Sequence, residues 1–257
     1  MPTCKICGAS SGFVKSHIIP EAFFRQLRDD QEAPLLISGA TGQAPKKSPI
    51  GVYDTNILCG PCEGKFLHWD TYGVDVLLTR FDHFFKPILK EGKIFGYEAS
   101  DVNKVKLLDF LTSIIWRASI SSQPFYETVQ LGPYQAQIRE GMFIQSDHSP
   151  EPVDAVLSRW KDDDDDTLPT TSLMNPHRER WGDVNAYRLY LGKIVAYIKI
   201  DQRSFNETFS KFSLRSSDPL RIISRSFAAS KDLAAMQKTA IASHRNLFAL
   251  RKRTRMG

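Results

Sequence analysis

Four cysteines fall in two pairs, Cys4-Lys5-Ile6-Cys7 and Cys59-Gly60-Pro61-Cys62, and the chain holds no others. Two residues between thiolates let both sulfurs of a pair reach one ion, and two such pairs complete a closed tetrahedral Cys4 shell for zinc. The first hundred residues therefore read as one compact zinc unit. The competing readings are a disulfide framework and a redox dithiol. Four cysteines in 257 residues, with no apolar leader, do not suggest a secreted disulfide scaffold. Two pairs with none left over fit metal better than a dithiol.

A chain of this length, 42% hydrophobic, buries a sizeable core in one or two domains. It contains no run of about 18 apolar residues, so it is expected not to span a membrane and to be cytoplasmic. The formal charge of +5 is unevenly placed. Residues 1–100 hold 11 Lys/Arg and 11 Asp/Glu, whereas residues 188–257 hold 15 Lys/Arg against 4 Asp/Glu, net +11. The chain closes on Arg251-Lys252-Arg253-Thr254-Arg255. A basic C-terminal third suits a polyanion such as nucleic acid, and the bland alternative is a solvated basic surface.

Gly12 to Ile19 alternates weakly and reads as a strand, and Pro20 opens a short helix to Leu27. Residues 29–52 are rich in Gly, Pro, Ser and Lys and read as a long loop, where Lys46 and Lys47 could meet a phosphate backbone. Val52 to Leu58 reads as a second strand. A helix follows from Cys62 through Trp69, with Gly73 as an interruption before Val74 to Phe85. Ser100 or Asp101 is expected to cap a helix with Leu107, Leu108, Leu111, Ile114, Ile115 and Ala118 on one face. Strands are expected at 142–144, 187–190, 193–200 and 220–224, with Leu191-Gly192-Lys193 as a hairpin turn. Asp162 to Asp166 reads as a solvated acidic loop. The last helix runs from Ser230 to Leu250. The expected fold class is α+β, with a zinc-stapled domain over 1–99 and a basic mixed domain over 100–257 for substrate recognition or regulation.

Ser16-His17-Ile18-Ile19-Pro20 lies between the cysteine pairs, Asn56-Ile57-Leu58 leads into Cys59, and Glu63-Gly64-Lys65 follows Cys62. In this order they resemble the HNH, or ββα-metal, nucleases of the Cys4-zinc-stapled type, over residues 1–75. The resemblance implies a ββα-metal fold in which His17 is the general base. It makes Asn56 the holder of the imidazole's other nitrogen or of its loop. Glu63, with Ser16, would be the protein's ligands to a catalytic Mg2+ or Mn2+, and Cys4, Cys7, Cys59 and Cys62 would hold structural Zn2+. Phosphodiester hydrolysis needs an activated water, an ion to offset charge on the phosphate, and positioning. A neutral imidazole takes a proton near pH 7, and a carboxylate suits a hard ion.

Two residues depart from the family pattern. Ser16 stands where Asp or His is common, and Glu63 where His is most common. Asp54 or Asp70 could compensate, but Asp70 lies two helical turns from Glu63, about 10 Å, and reads as structural. The implied activity is metal-dependent hydrolysis of double-stranded DNA, possible settings being restriction or phage defence. Lys46, Lys47, Arg251, Lys252 and Arg253 would contact nucleic acid, and a homodimer or partner subunit fits the unassigned C-terminal half. The alternative is a non-catalytic zinc module binding nucleic acid or a partner protein, with His17 merely bracing the knuckle. Trp116-Arg117 and Arg178-Glu179-Arg180-Trp181 read as core tryptophans beside surface arginines, and His244 as a core or interface histidine.

Overall fold

The computed structural model describes residues 2–27, 32–161 and 172–256, with side chains through Lys252. The aspartate run Asp162 to Asp166 and the side chain of Arg253 lie outside the described residues. Ser16–His17 form β1, and Glu21–Gln26 form α1 behind Pro20, whose φ of −54° suits a helix start. Leu35–Ile37 (β2), Lys46–Lys47 (β3) and Tyr53–Asp54 (β4) follow. Gly60–Glu63 (α2) begins at Cys59 and passes through a 3-10 turn, Gly64–Phe66, into Leu67–Val74 (α3). Phe81–Phe84 (α4) leads to Phe85–Lys90 (β5) and Lys93–Ala99 (β6). Lys104–Ile120 (α5) and Tyr134–Glu140 (α6) pack together. The remaining strands are Val153–Trp160 (β7), Ser172–Met174 (β8), His177–Trp181 (β9), Val184–Leu191 (β10), Ile194–Ile200 (β11) and Arg221–Arg225 (β12). The C-terminal helix spans Lys231–Met256.

Seven strands make one sheet in the order β5-β6-β12-β7-β11-β10-β9, in which only β12 and β7 run parallel. The fold is α+β, as expected. β10 and β11 are joined at Gly192, whose φ of +61° is the left-handed geometry a tight hairpin needs. Every residue of β11 is buried, which marks a central strand covered on both faces. A second sheet orders β3-β2-β8, and β1 pairs with β4 alone, Ser16 opposite Asp54 and His17 opposite Tyr53.

α5 is the spine. Its six expected apolar residues are all buried, but so are Asp109, Thr112, Ser113 and Arg117. The polar groups find partners inside. Thr112 and Ser113 donate back to the carbonyls of Leu108 and Phe110 at 2.8 and 2.7 Å. Asp109 accepts from the Ser149 amide and hydroxyl and meets His148 Nδ1 at 2.9 Å. One apolar cluster runs from Cys4 through α5 to Met236, and β5 and β6 join the large sheet rather than the cysteine unit.

Several local expectations are corrected. The α5 cap is Asn103, whose side chain accepts from the Lys106 amide at 3.0 Å. Asp101 cannot cap because its φ is +59°, and the Ser100 hydroxyl donates to the Phe84 carbonyl. Met142 to Ile144 is not a strand but part of a wide turn, Gly141–Gln145, continuing α6. That turn buries Met142 and sets Phe143 against Phe66, Trp69 and Trp116 at 4.9–5.9 Å. Residues 29–52 are not all loop, since Leu35-Leu36-Ile37 pairs parallel to Ser172-Leu173-Met174. The two strands expected around His17 and Asp54 are only two residues each. His244 is exposed on the C-terminal helix, its Nδ1 2.9 Å from the Ala240 carbonyl. No helix of the described residues is long and apolar enough to cross a membrane.

Gly73 does not break α3. It lets α3 and α5 approach, because a Cβ there would stand 2.2 Å from Phe110 Cδ1. The Phe110 ring is fully buried and has no room to move. Overpacking of this kind costs about 1–3 kcal/mol, against about 1 kcal/mol gained in helix propensity. Gly73→Ala is therefore expected to lower Tm by several degrees, measured by circular dichroism melting, and Gly73→Ala with Phe110→Leu to recover part of the loss.

Candidate functional site

The first knuckle turns at Gly8, whose φ of +79° places its amide on the Cys4 carbonyl at 2.9 Å. The second is the start of α2, where the amides of Cys62 and Glu63 both meet the Cys59 carbonyl. The knuckles are tied by Lys5 N–H to Ile57 O at 2.9 Å and by Gly60 N–H to Gly12 O at 3.0 Å. From α6, Arg139 donates twice to the Ile6 carbonyl, at 2.6 and 3.2 Å. The result brings all four sulfurs within 4.8 Å of one another, with Cys7 and Cys59 Sγ 3.6 Å apart. Four sulfurs at about 2.3 Å from a tetrahedral zinc would stand about 3.8 Å apart, so the group fits that ion. Cys4, Cys59 and Cys62 are buried and Cys7 is exposed. Burial opposes ionisation of Cys4, but backbone amides of Cys7, Cys59 and Ile6 overcome it and bring the thiol to about 6. Burial pushes the Cys62 thiol up instead. Four cysteines crowded in this way share charge poorly without a cation.

His17 is half-buried on β1, with its ring edge-on to Tyr53 at 5.7 Å. Its Nε2 is buried and has no hydrogen-bond partner. Burial lowers its pKa; Glu21 opposes this, while Arg117 and Lys15 add to it, so the ring is neutral at pH 7. The strand beneath is held by Arg117, whose Nη1 donates to the His17 carbonyl at 2.7 Å. The same guanidinium grips Asp70 with both arms, at 2.8 and 2.6 Å, and lies 4.6 Å over the Phe66 ring. Arg117 is 0% exposed, which corrects its reading as a surface arginine, while Trp116 is core as expected.

Neighbouring side chains on a strand point to opposite faces. Ser16, next to His17, is accordingly turned elsewhere and donates to Glu63 Oε2 at 2.5 Å. Burial raises the Glu63 pKa, opposed by the Ser16 hydroxyl and Arg117. Asp54 is also engaged, accepting from the Asn56 amide, both Ser121 and Ser122 hydroxyls, and the Ser122 amide. Burial works against its charge, but these hydrogen bonds prevail and hold its carboxyl low. Asp70 is structural, as expected. Asn56 has an exposed side chain with no hydrogen bond among the described residues, so the structure does not bring it to the imidazole. Among the described residues, only the four cysteines form a cluster of three or more metal-ligating side chains. For a hard divalent ion, the Ser16–Glu63 pair therefore offers one carboxylate, and water or substrate oxygens would have to complete its coordination.

Tyr53 also lines a groove of about 300 Å³ together with Lys46, Ser48, Gln43 and Gln123. Lys47 points elsewhere, to an exposed ion pair with Glu32 at 2.9 Å. Arg251 and Lys252 are exposed on the C-terminal helix. That helix is docked onto the segment preceding Lys46 by Asn246, which donates to the Ala40 and Gln43 carbonyls, and by Ser243. The sequence reading missed Arg117 as the anchor of β1. The available signal was an arginine seven residues past Phe110, inside an otherwise apolar helix face, where a buried charge requires a carboxylate.

Comparison with protein-family models, with curated proteins and with solved structures found no match to this chain.

The protein purified from zinc-containing medium is expected to carry one zinc per chain by atomic emission, and Cys62→Ser to carry none. Loss of the ion should remove hydrogen-exchange protection from residues 4–17 and 57–66, because binding energy at such sites is folding energy. Full protection without metal would contradict the assignment.

Proposed function

We propose that the protein is a metal-dependent endonuclease of the HNH type, acting on DNA, with His17 as general base. The observation that carries this reading is a neutral imidazole, on the strand between the two cysteine pairs, whose Nε2 has no hydrogen-bond partner. A base must be unprotonated and free to accept, and a histidine serving only to brace the knuckle would be expected to use both ring nitrogens. The antiparallel β1–β4 pair followed by α2 supports it by its order, strand, strand, helix, with the histidine on the first strand.

In this reading the His17 imidazole takes the proton of the attacking water. Arg117 keeps β1 from sliding by holding the His17 carbonyl, and Tyr53 sets the tilt of the ring. Lys46 in the groove, with Arg251 and Lys252, would hold phosphates. A bound Mg2+ or Mn2+ would offset charge on the scissile phosphate; Glu63 and Ser16 face away from the imidazole, so water and substrate oxygens would supply most of its coordination beside His17. Zinc keeps the knuckles in place. Asn56 would act on the loop rather than on the imidazole, its amide bonding Asp54 opposite Ser16, while Arg117 holds the strand of the base.

The second reading is a non-catalytic zinc module. It is favoured by the Ser16–Glu63 hydrogen bond and by the lack of a second multi-ligand cluster among the described residues. The two separate on supercoiled plasmid DNA with Mg2+ or Mn2+ titrated from zero. The nuclease reading expects metal-dependent nicking, reduced about 10²–10⁴-fold in zinc-loaded, folded His17→Ala. Equal nicking by both proteins, or none by the wild type with either ion, would sink it and favour the binding module.

A further inference from the structure

A cavity of about 460 Å³ lies between the seven-stranded sheet and the start of the C-terminal helix, and none of the cysteines, His17 or Glu63 lines it. This is the size of a small-molecule site. One wall is apolar, formed by Val156, Phe209, Phe212 and Ile223. Behind it Trp181 is stacked between Tyr197 at 4.5 Å and Phe209 at 3.9 Å, which makes the wall rigid.

The lining also carries polar and charged groups. Arg188 and Ser158 line the cavity and are 5% and 4% exposed. Arg188 Nε and Arg225 Nε are buried without a hydrogen-bond partner. Beneath them lies Asp232, 0% exposed, which accepts from Arg188 at 2.7 Å, Arg225 at 2.8 Å, Tyr190 at 3.1 Å and Trp160 at 3.2 Å. The second arm of Arg188 pairs with Glu179 at 2.6 Å. Lys231 stands exposed at the edge, so three cationic side chains face two carboxylates. Ser230 and Lys231 also open the 26-residue C-terminal helix, whose amino end presents positive dipole to the cavity. Buried donors without acceptors are rare in folded proteins, and both of these belong to arginines that line the cavity.

We propose that this cavity binds a small organic anion, an aromatic or apolar body carrying one phosphate or carboxylate. The acid group meets Arg225 and Lys231, and the body lies on Phe209 and Phe212. The site is separate from the histidine site and does not depend on nuclease activity.

The test is isothermal titration calorimetry of the zinc-loaded full chain with three probes, 1-naphthyl phosphate, 1-naphthoate and the neutral 1-naphthalenemethanol. At least one anion should bind, and the alcohol should be at least about tenfold weaker, since charge-assisted bonds carry the difference. Binding by both anions or by one of them supports the site and identifies the acid group it accepts. Ala229→Trp adds bulk at an exposed position on the cavity lining and should abolish binding without lowering Tm. Arg225→Gln should weaken the anion about tenfold and leave the alcohol unchanged. No binding of any probe, equal binding of all three, or binding that survives Ala229→Trp would overturn the proposal.

Discussion

The Arg117 guanidinium is the point on which the architecture turns. It is wholly buried in the last turn of α5, and a charge there is tolerable only if its donors are matched. Asp70 on α3 takes both arms, the His17 carbonyl on β1 takes a third bond, and Ser113 sits beside it. Removing one member of such a pair costs about 3–5 kcal/mol, because the other is left charged and buried. One side chain thus holds the helix spine, the helix beyond the second knuckle and the strand of the histidine in a single arrangement. α3 can come close enough for Asp70 to reach because Gly73 has no side chain to meet Phe110.

The cysteine cluster and Arg117 act on β1 from two sides. The knuckles fasten the chain before it, through Val14 to Leu58 and Gly60 to Gly12. Arg117 fastens it from below through the backbone rather than through the imidazole. The ring is therefore positioned without spending either of its nitrogens, and burial keeps it neutral. Ser16 and Glu63 satisfy each other on the other side of the strand. This explains how two residues that depart from the familiar nuclease pattern sit together: each is the other's hydrogen-bond partner.

What could be read from the sequence was whatever is encoded by near neighbours. The two CxxC pairs declare their chemistry within four residues each, and the structure brings them together. The hairpin at Gly192 was visible because alternating apolar strands flank a residue suited to left-handed geometry. The misses are tertiary. Met142 to Ile144 looks like a strand in isolation but is drawn into a turn by the aromatic cluster of Phe66, Trp69 and Trp116. Leu35 to Ile37 became a strand because a partner 137 positions later, Ser172 to Met174, lies alongside. Asn56 had the right spacing for a role at the imidazole that its exposed position does not support, while Arg117, a hundred residues from His17, holds the strand instead.

The central claim is that the imidazole of His17 is a working base and not a brace. It is tested most directly by chemical rescue: the plasmid-nicking rate of zinc-loaded His17→Gly as imidazole is added to the buffer. The account expects a slow variant whose rate climbs with imidazole and saturates, while the wild-type rate does not change. A variant that stays equally slow at every imidazole concentration, with its zinc and fold intact, would contradict it.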